Sequence, residues 1–476
     1  MHLSRLCKTS VAAAVIGLVL SFILFPGRTA GASGEATTPD EAHRILENLP
    51  AAVDGRDPVI IKTLHYSYPN NRFVSVRDFA AALNGTPKHF QAVFEDGRVS
   101  LFTGKDYLPA GGEGDPFPGK YMDPLEEESF LTYPLALNPV SLDGRPLHYR
   151  SFLGKNPENQ PDCFISLTDL AMQLDIRADL EGGKLYLNTG EPFRIDPESI
   201  FKKEFYYEIH SALLGDAGSG EVFASSNPDA SVAIASTSKL MTYLVLMDLV
   251  SEGRISPDDP VLIPEEAVLL SRTSDGEIRM EEGTAVSFTD LLTGMLVPSS
   301  DECALALAVH AAGSEAEFVS LMQQKASELH LSDATVFFNS HGLPVYSDDI
   351  PASKLQNRMS AKEMFVLVQH ILSRYPQILD ITSIKSTYLE SFGITVENTN
   401  PLLYNLPGVV GLKTGTTNMA GDCVVGVMEV KDSDGRTHYL TVIQFGAEDE
   451  TIRATLSEEL LRYGQKKIAD DGLSGD

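Results

Sequence analysis

The sequence predicts a multidomain α+β protein: a smaller duplicated α+β domain, then a larger domain in which an antiparallel sheet backs a helical lobe. Three observations predict it. A strand–helix–strand pattern occurs twice between residues 73 and 190. From residue 205 come two strand-like runs, a long helical stretch, three strand-like runs and a closing helix. A chain of 476 residues is also too long for one core and points to two or three domains.

At the N-terminus, Arg5 and Lys8 precede an apolar stretch from Val11 to Phe25 that Pro26 ends, and "AGA" at 30–32 supplies small residues for cleavage. Residues 1–32 are therefore expected to be an export signal, or an anchor if uncleaved. The stretch is short for a spanning helix. Cleavage would remove Arg5, Lys8 and Arg28 and no acid, making the formal charge of −29 three units more negative. Such a charge, with no basic stripe, excludes general nucleic-acid binding, which needs clustered cations. At 43% hydrophobic residues the composition is that of a folded chain. Tryptophan is absent, so any stacking on sugars falls to Tyr or Phe. Cys7 lies in the signal, and Cys163, Cys303 and Cys423 form neither a disulfide framework nor a metal spacing. The eleven histidines make no His-x-His or Glu-x-x-His cluster. No metal or other cofactor is implied.

The duplication is direct. "FVSVRDFAAALNGT" at 73 matches "FISLTDLAMQLDIR" at 164, and "EDGRVSLFTG" at 95 matches "EGGKLYLNTG" at 181. Asp78 and Asp169 read as helix-start residues. "PAGGEGDPFPGKY" at 109–121 reads as a loop between the copies. Over about residues 55–190 the pattern resembles the copper amine oxidase N-terminal-like domain of exported bacterial proteins. With no ligand cluster here, that resemblance implies a binding or spacer module and brings no copper. Linkers are expected at 33–54 before it and at 191–204 after it.

In the back half, "YYEIHSALLGDAGSGEVFASS" holds two strands joined by the hairpin signal "DAGSG". "SVAIASTSKLMTYLVLMDLV" at 231–250 is a helix, with Leu240, Tyr243, Leu244, Leu246, Met247 and Val250 as its apolar face. "SFTDLLTGMLVPSSDECALALAVHAAG" reads as two helices broken at Pro298, "SEAEFVSLMQQKASELHL" as another, and "SAKEMFVLVQHIL" opens with a Ser360/Glu363 capping box. "VVGLKTGTT", "DCVVGVMEV" and "HYLTVIQFG" return to strands, "DSDG" joins the last two, and "ETIRATLSEELLRYG" closes as a helix. The mouth between sheet and lobe is where a site would assemble.

Ser236 and Lys239 lie three residues apart at the head of the first helix, where such residues are neighbours. The spacing alone allows a serine N-cap with an exposed lysine, or a nucleophile with an amine as its base. Ser199 and Lys202 make the same pattern. "GLKTGTT" adds Lys413 and Thr414 on a strand, with Gly415 leaving room for a ligand along the backbone. His341 in "SHGLP" reads as a loop or core histidine, with Gly342 suited to a tight turn.

Taken in order, "IASTSKLMT", "LLTGMLVPSSDECALALA", "FFNSHGLP", "NTNPLL", "GVVGLKTGTTNMAGDCVVG" and the closing "R…LLRYG" resemble the serine D-alanyl-D-alanine carboxypeptidases, the low-molecular-weight penicillin-binding proteins. The resemblance covers about residues 205–464, with a polar tail at 465–476. It implies a β-lactamase/transpeptidase-like catalytic domain and removal of the terminal D-alanine of peptidoglycan stem peptides through an acyl-enzyme, with β-lactams as inhibitors. Ser236 would be the nucleophile, Lys239 its base and Ser299 a hydrogen-bonding partner. A lysine needs burial or a second cation to accept a proton at neutral pH, and Lys413 would be that cation. Lys413 and Thr414 would hold the terminal carboxylate, and Arg453 matches the arginine on that side. The backbone N–H groups of Ser236 and Thr416 would meet the oxyanion.

One position departs from the family. Its Ser-x-Asn motif reads Ser299-Ser300-Asp301, and an ionised aspartate accepts hydrogen bonds where asparagine donates. Asp301 could pair with Lys239 or Lys413 and hold the base protonated. The alternative function is thus a catalytically weak wall-binding protein with a disarmed site. A serine β-lactamase would need a second general base, and no Glu-x-x-x-Asn loop is in place for one. The expected location is extracytoplasmic, in the cell wall or on the outer face of the cytoplasmic membrane, with any membrane association through the N-terminus.

Overall fold

The computed structural model describes residues 44–66, 72–95, 98–116, 137–155, 160–193, 209–273, 278–345, 355–448 and 450–471. The expected signal, residues 33–43, the distal part of the glycine-rich loop and residues 194–204 of the expected linker lie outside them. Residues 43–476 form one unit.

The front module starts earlier than the repeat suggested. Strand β1 (Arg44–Val53) occupies residues expected to be linker, because Leu49, Ala51 and Val53 are buried in the module core. It is followed by β2 (Val59–Tyr66), β3 (Arg72–Ser75), helix α1 (Val76–Leu83) and the hairpin β4 (Phe90–Glu95)–β5 (Arg98–Thr103). The second copy runs β6 (Leu137–Leu142), β7 (Arg145–Lys155), β8 (Pro161–Ser166), α2 (Leu167–Leu174), β9 (Arg177–Glu181) and β10 (Lys184–Asn188). The ten strands lie in the order β4-β5-β6-β7-β8-β3-β2-β1-β10-β9. That order is palindromic between the copies. At its centre Phe73 faces Ser166, Val74 faces Ile165 and Ser75 faces Phe164, so equivalent residues exchange places across a pseudo-twofold axis.

Each copy gives its last hairpin to the other. β5 pairs in parallel with β6, and β10 with β1. The same lock closes both exchanges. Asp54 accepts the Thr189 N–H and hydroxyl at 2.8 and 2.7 Å, and Asp143 accepts those of Thr103 at 2.9 and 2.6 Å. Both aspartates sit at φ +50° before a glycine, in the turns of "PAAVDGRDP" at 50 and "PVSLDGRP" at 139, a third repeated segment. Helices α1 and α2 are capped by Ser75 and Ser166 rather than by the aspartates. Asp78 and Asp169 occupy the third helical position, where their N–H groups donate to those serines.

The larger domain is built on the sheet β12-β11-β21-β20-β19. β11 (Ser211–Asp216) and β12 (Glu221–Ser226) come from the front of the domain, and β19 (Val409–Thr417), β20 (Gly421–Lys431) and β21 (Thr437–Ala447) from its end, as expected. Short ladders join β13 (Val232–Ala233) to β16 (Arg358–Met359), β14 (Val261–Leu262) to β15 (Ala285–Val286), and β17 (Ser386–Leu389) to β18 (Ile394–Glu397). The lobe consists of α3 (Lys239–Ser251), α4 (Glu265–Thr273), α5 (Phe288–Leu296), α6 (Asp301–Ala312), α7 (Glu315–Glu328), α8 (Ala361–Arg374) and α9 (Ile378–Thr382). The Ser360/Glu363 capping box is present. The expected apolar face of α3 is in fact a full circumference. Met241, Val245 and Leu249 are buried along with Leu240, Tyr243, Leu244 and Leu246, which makes α3 the lobe's central helix.

On the other side of the sheet lie α10 (Leu402–Asn405) and α11 (Glu450–Asp471), which share a second core with Val424, Leu440 and Val442. Helix α11 continues seven residues into the expected polar tail. Ile468 is buried there, and Lys467 pairs with Glu221 at 2.9 Å.

Candidate active site

Ser236 stands in a tight turn, residues 235–238, just before α3. Ala235 takes φ +45°, a sparsely populated conformation for a residue with a side chain. The Thr237 and Ser238 hydroxyls brace the turn by donating to the Ile234 and Ala235 carbonyls at 2.5 and 2.8 Å. The cap position of α3 belongs to Ser238, which makes no side-chain cap bond. Ser236 therefore does not serve as the N-cap. Its Oγ instead accepts from Lys239 Nζ at 2.8 Å.

Lys239 is fully buried, and its three donors are all used. Besides Ser236 they go to Asp301 Oδ1 at 2.6 Å and to the His341 carbonyl at 2.9 Å. Asp301 is the first residue of α6, where a carboxylate is favoured by the helix dipole. Ser300 caps that helix, its hydroxyl accepting the Cys303 N–H at 3.0 Å. Ser299, half-buried at φ +70°, occupies the joint between α5 and α6. Of the two lysines that Asp301 could have joined, it joins Lys239.

The histidine loop presses on the same turn. A Cβ on Gly342, at φ +102°, would lie 2.1 Å from the Ala235 carbonyl oxygen. His341 Nδ1 accepts the Leu343 N–H at 3.2 Å, and Nε2 stands 3.7 Å from Glu315. Burial holds this imidazole below its ordinary range, against the pull of Asp301 and Glu315. It is a core histidine whose carbonyl, not its ring, reaches Lys239.

Strand β19 closes the other side. Gly415 packs so tightly that a Cβ there would sit 2.6 Å from the Ser236 nitrogen. Lys413 is buried and donates to the Thr414 carbonyl at 2.9 Å. Burial first, then the charge of Lys239, pushes it well below the usual lysine range, and Arg453 acts on it in the same direction. The Thr414 and Thr399 hydroxyls are 2.6 Å apart. Arg453, in the first turn of α11, donates through Nη1 to Thr416 Oγ1 at 3.1 Å and to Asp422 Oδ1 at 2.8 Å.

The fold thus gathers Ser236, Lys239 and Asp301 into one hydrogen-bonded group, with Lys413–Thr416 alongside and Arg453 at the strand's end. Sequence reasoning missed Asp422 and Glu315. Asp422 follows Thr416 by six residues across a hairpin, and only the register makes them partners. The Glu315 carboxylate accepts the Ser340 N–H and hydroxyl at 3.0 and 2.7 Å. Nothing local in its helix marks that role.

The family model for D-alanyl-D-alanine carboxypeptidases matches residues 202–441. The chain is 33% identical over 267 residues to the D-alanyl-D-alanine carboxypeptidase DacD of Escherichia coli strain K12, covering 55% of this chain and 64% of that one. It is 31% identical over 226 residues to DacF of Bacillus subtilis strain 168, covering 46% and 54%. With DacA of Haemophilus influenzae it shares 30% identity over 275 residues, covering 53% and 67%. The chain therefore spans little more than half to about two thirds of these three relatives. Among solved structures, a peptidoglycan synthesis regulatory factor (PBP3) from Streptococcus pneumoniae is similar with a TM-score of 0.49 and 28% identity, covering 54% of this chain and 73% of that one.

Proposed function

The chain belongs to the D-alanyl-D-alanine carboxypeptidase family, and from that premise we propose that it removes the terminal D-alanine of peptidoglycan stem peptides through an acyl-enzyme on Ser236. The observation that carries the proposal is the 2.8 Å contact between Ser236 Oγ and Lys239 Nζ, walled by the Lys413–Thr416 strand. The hydroxyl proton passes to Lys239 as Oγ attacks the carbonyl before the last D-alanine. The oxyanion forms against the Ser236 and Thr416 N–H groups. Lys239 returns the proton to the leaving amine, and D-alanine departs. Water then attacks the ester and restores the serine. Lys413, Thr414 and Arg453 line the side where the terminal carboxylate lies, and Ser299 stands at the lobe side of the cleft.

Lys239 accepts a proton only in its neutral form, and the group poised to relieve it is Asp301, 2.6 Å away. The reactive form is then the neutral pair, amine beside carboxylic acid. The same ion pair favours a second reading, in which the site is disarmed and the protein binds wall peptide without turning it over. Fluorescent penicillin separates the two. The enzyme labels, and Ser236→Ala abolishes the label; a wild type that stays unlabelled while Asp301→Asn labels would establish the disarmed site. Mass spectrometry of stem peptides incubated with each variant reports the loss of D-alanine directly.

We assign the protein to the extracytoplasmic space, where such peptides lie. No helix among the described residues is long and apolar enough to cross a membrane. The duplicated front domain is proposed as the binding or spacer module of the same protein.

A further inference from the structure

Asp422 is the second residue of β20, the strand paired with the one that carries Lys413–Thr416, and lies directly opposite Thr416. Its Oδ1 accepts hydrogen bonds from the Thr416 hydroxyl at 2.6 Å and from an Arg453 N–H at 2.8 Å. The two charged side chains are only 9% and 14% exposed, so solvent screens them weakly. Arg453 Nε is buried with no hydrogen-bond partner among the described residues. Arg453 thus brings a guanidinium to this side of the cleft, and Asp422 already pairs with it.

We infer that Asp422 is a specificity-determining residue: a built-in carboxylate that occupies the guanidinium otherwise offered to the substrate's terminal carboxylate. The inference rests on the carboxylate side assigned above. A peptide ending in a free carboxylate must share Arg453 with Asp422 and meets its like charge. A peptide ending in a neutral amide meets no such charge. The site therefore takes acyl donors with uncharged C-termini nearly as well as those with free carboxylates, in contrast to a pocket with an unshared arginine.

The test measures binding by calorimetry with Ser236→Ala protein, which leaves peptides intact, with and without Asp422→Asn. Asparagine keeps an oxygen acceptor for Thr416 and Arg453, so the pocket's shape survives; Asp422→Ser is the second variant. The probes are a peptide ending in D-alanyl-D-alanine and its C-terminal amide. With Asp422 present the two bind within about threefold of each other, and without it the acid tightens about tenfold while the amide stays within about twofold. Equal changes for both probes, an acid that fails to tighten, or no binding of either probe in any variant overturns the inference. Turnover by protein retaining Ser236 is scored separately. Acid-specific tightening without turnover sinks the hydrolase reading and leaves this one standing; turnover with equal changes does the reverse.

Discussion

At the scale of single residues, the 2.6 Å contact between Lys239 and Asp301 decides how Ser236 is activated. With Asp301 as the group that relieves Lys239 of its proton, Asp301→Asn should slow acylation at least about tenfold. Stopped-flow acylation by a chromogenic penicillin reads the rate, and an unchanged or faster Asp301→Asn would rule out Asp301 as the proton acceptor. Buried Asp162 makes a pH-dependent site. It accepts from Ser75 Oγ at 2.6 Å, and burial raises its carboxyl to about 6. A raised carboxyl favours the folded state while protonated, and that contribution is present below about 3.8 and lost as pH rises through about 6. Asp162→Asn, which mimics the protonated form, should gain thermal stability over the wild type from pH 4 to pH 7, by about 2–3 kcal/mol at the upper end. Melting curves whose gap does not widen with pH would remove this account.

At the scale of elements, the site is a turn clamped between two backbones: the histidine loop on one side and β19 on the other. Gly342 and Gly313 separate the clamp from ordinary glycine geometry. Both have positive φ, but a Cβ on Gly313 meets open space, whereas one on Gly342 meets the Ala235 carbonyl. Gly313→Ala should cost about 1 kcal/mol and leave acylation unchanged. Gly342→Ala adds a backbone clash to the same strain, so its melting temperature should fall further and acylation should drop at least tenfold as Ser236 moves. Equal melting temperatures for the two variants would show that the loop yields freely. The strand and helix order, the capping box and the Ser-x-x-Lys and Lys-Thr-Gly segments were legible in the sequence, because each is written in neighbouring residues. The cross-locks of Asp54 with Thr189 and Asp143 with Thr103, and the Asp422–Thr416 pair, were not. They depend on strand pairing over 135, 40 and 6 positions, which no local pattern encodes. Spacing alone could not choose between a cap and a nucleophile at Ser236 for a related reason: the chain winds a tighter turn before α3, and tertiary contact with Gly415 and Gly342 sets it.

At the scale of the whole molecule, α11 ties the module to the site. Its first turn presents Arg453 to the cleft, and nine residues on, about 14 Å along the helix axis, Arg462 Nη1 stands 2.5 Å from Asp169 Oδ1, an ion contact without hydrogen-bond geometry. Lys466 adds a contact of 3.3 Å to Asp175. The symmetry of the module makes this docking informative. Asp78, the equivalent of Asp169, is satisfied inside its own repeat by Lys62, through the backbone N–H at 2.7 Å and Nζ at 2.8 Å. One copy of the duplicated aspartate closes the module, and the other faces the larger domain. Arg462 and Asp169 are 6% and 9% exposed, and removing one partner of a buried pair costs about 3–5 kcal/mol, because the other charge stays buried. Calorimetry should therefore show one cooperative transition for the wild type. Arg462→Ala should melt in two steps, the module first, and Arg462→Met with Asp169→Asn should recover much of the loss by leaving no unpaired charge. A single transition at the wild-type temperature in Arg462→Ala would mean that the contact couples nothing and that module and catalytic domain are joined by chain alone.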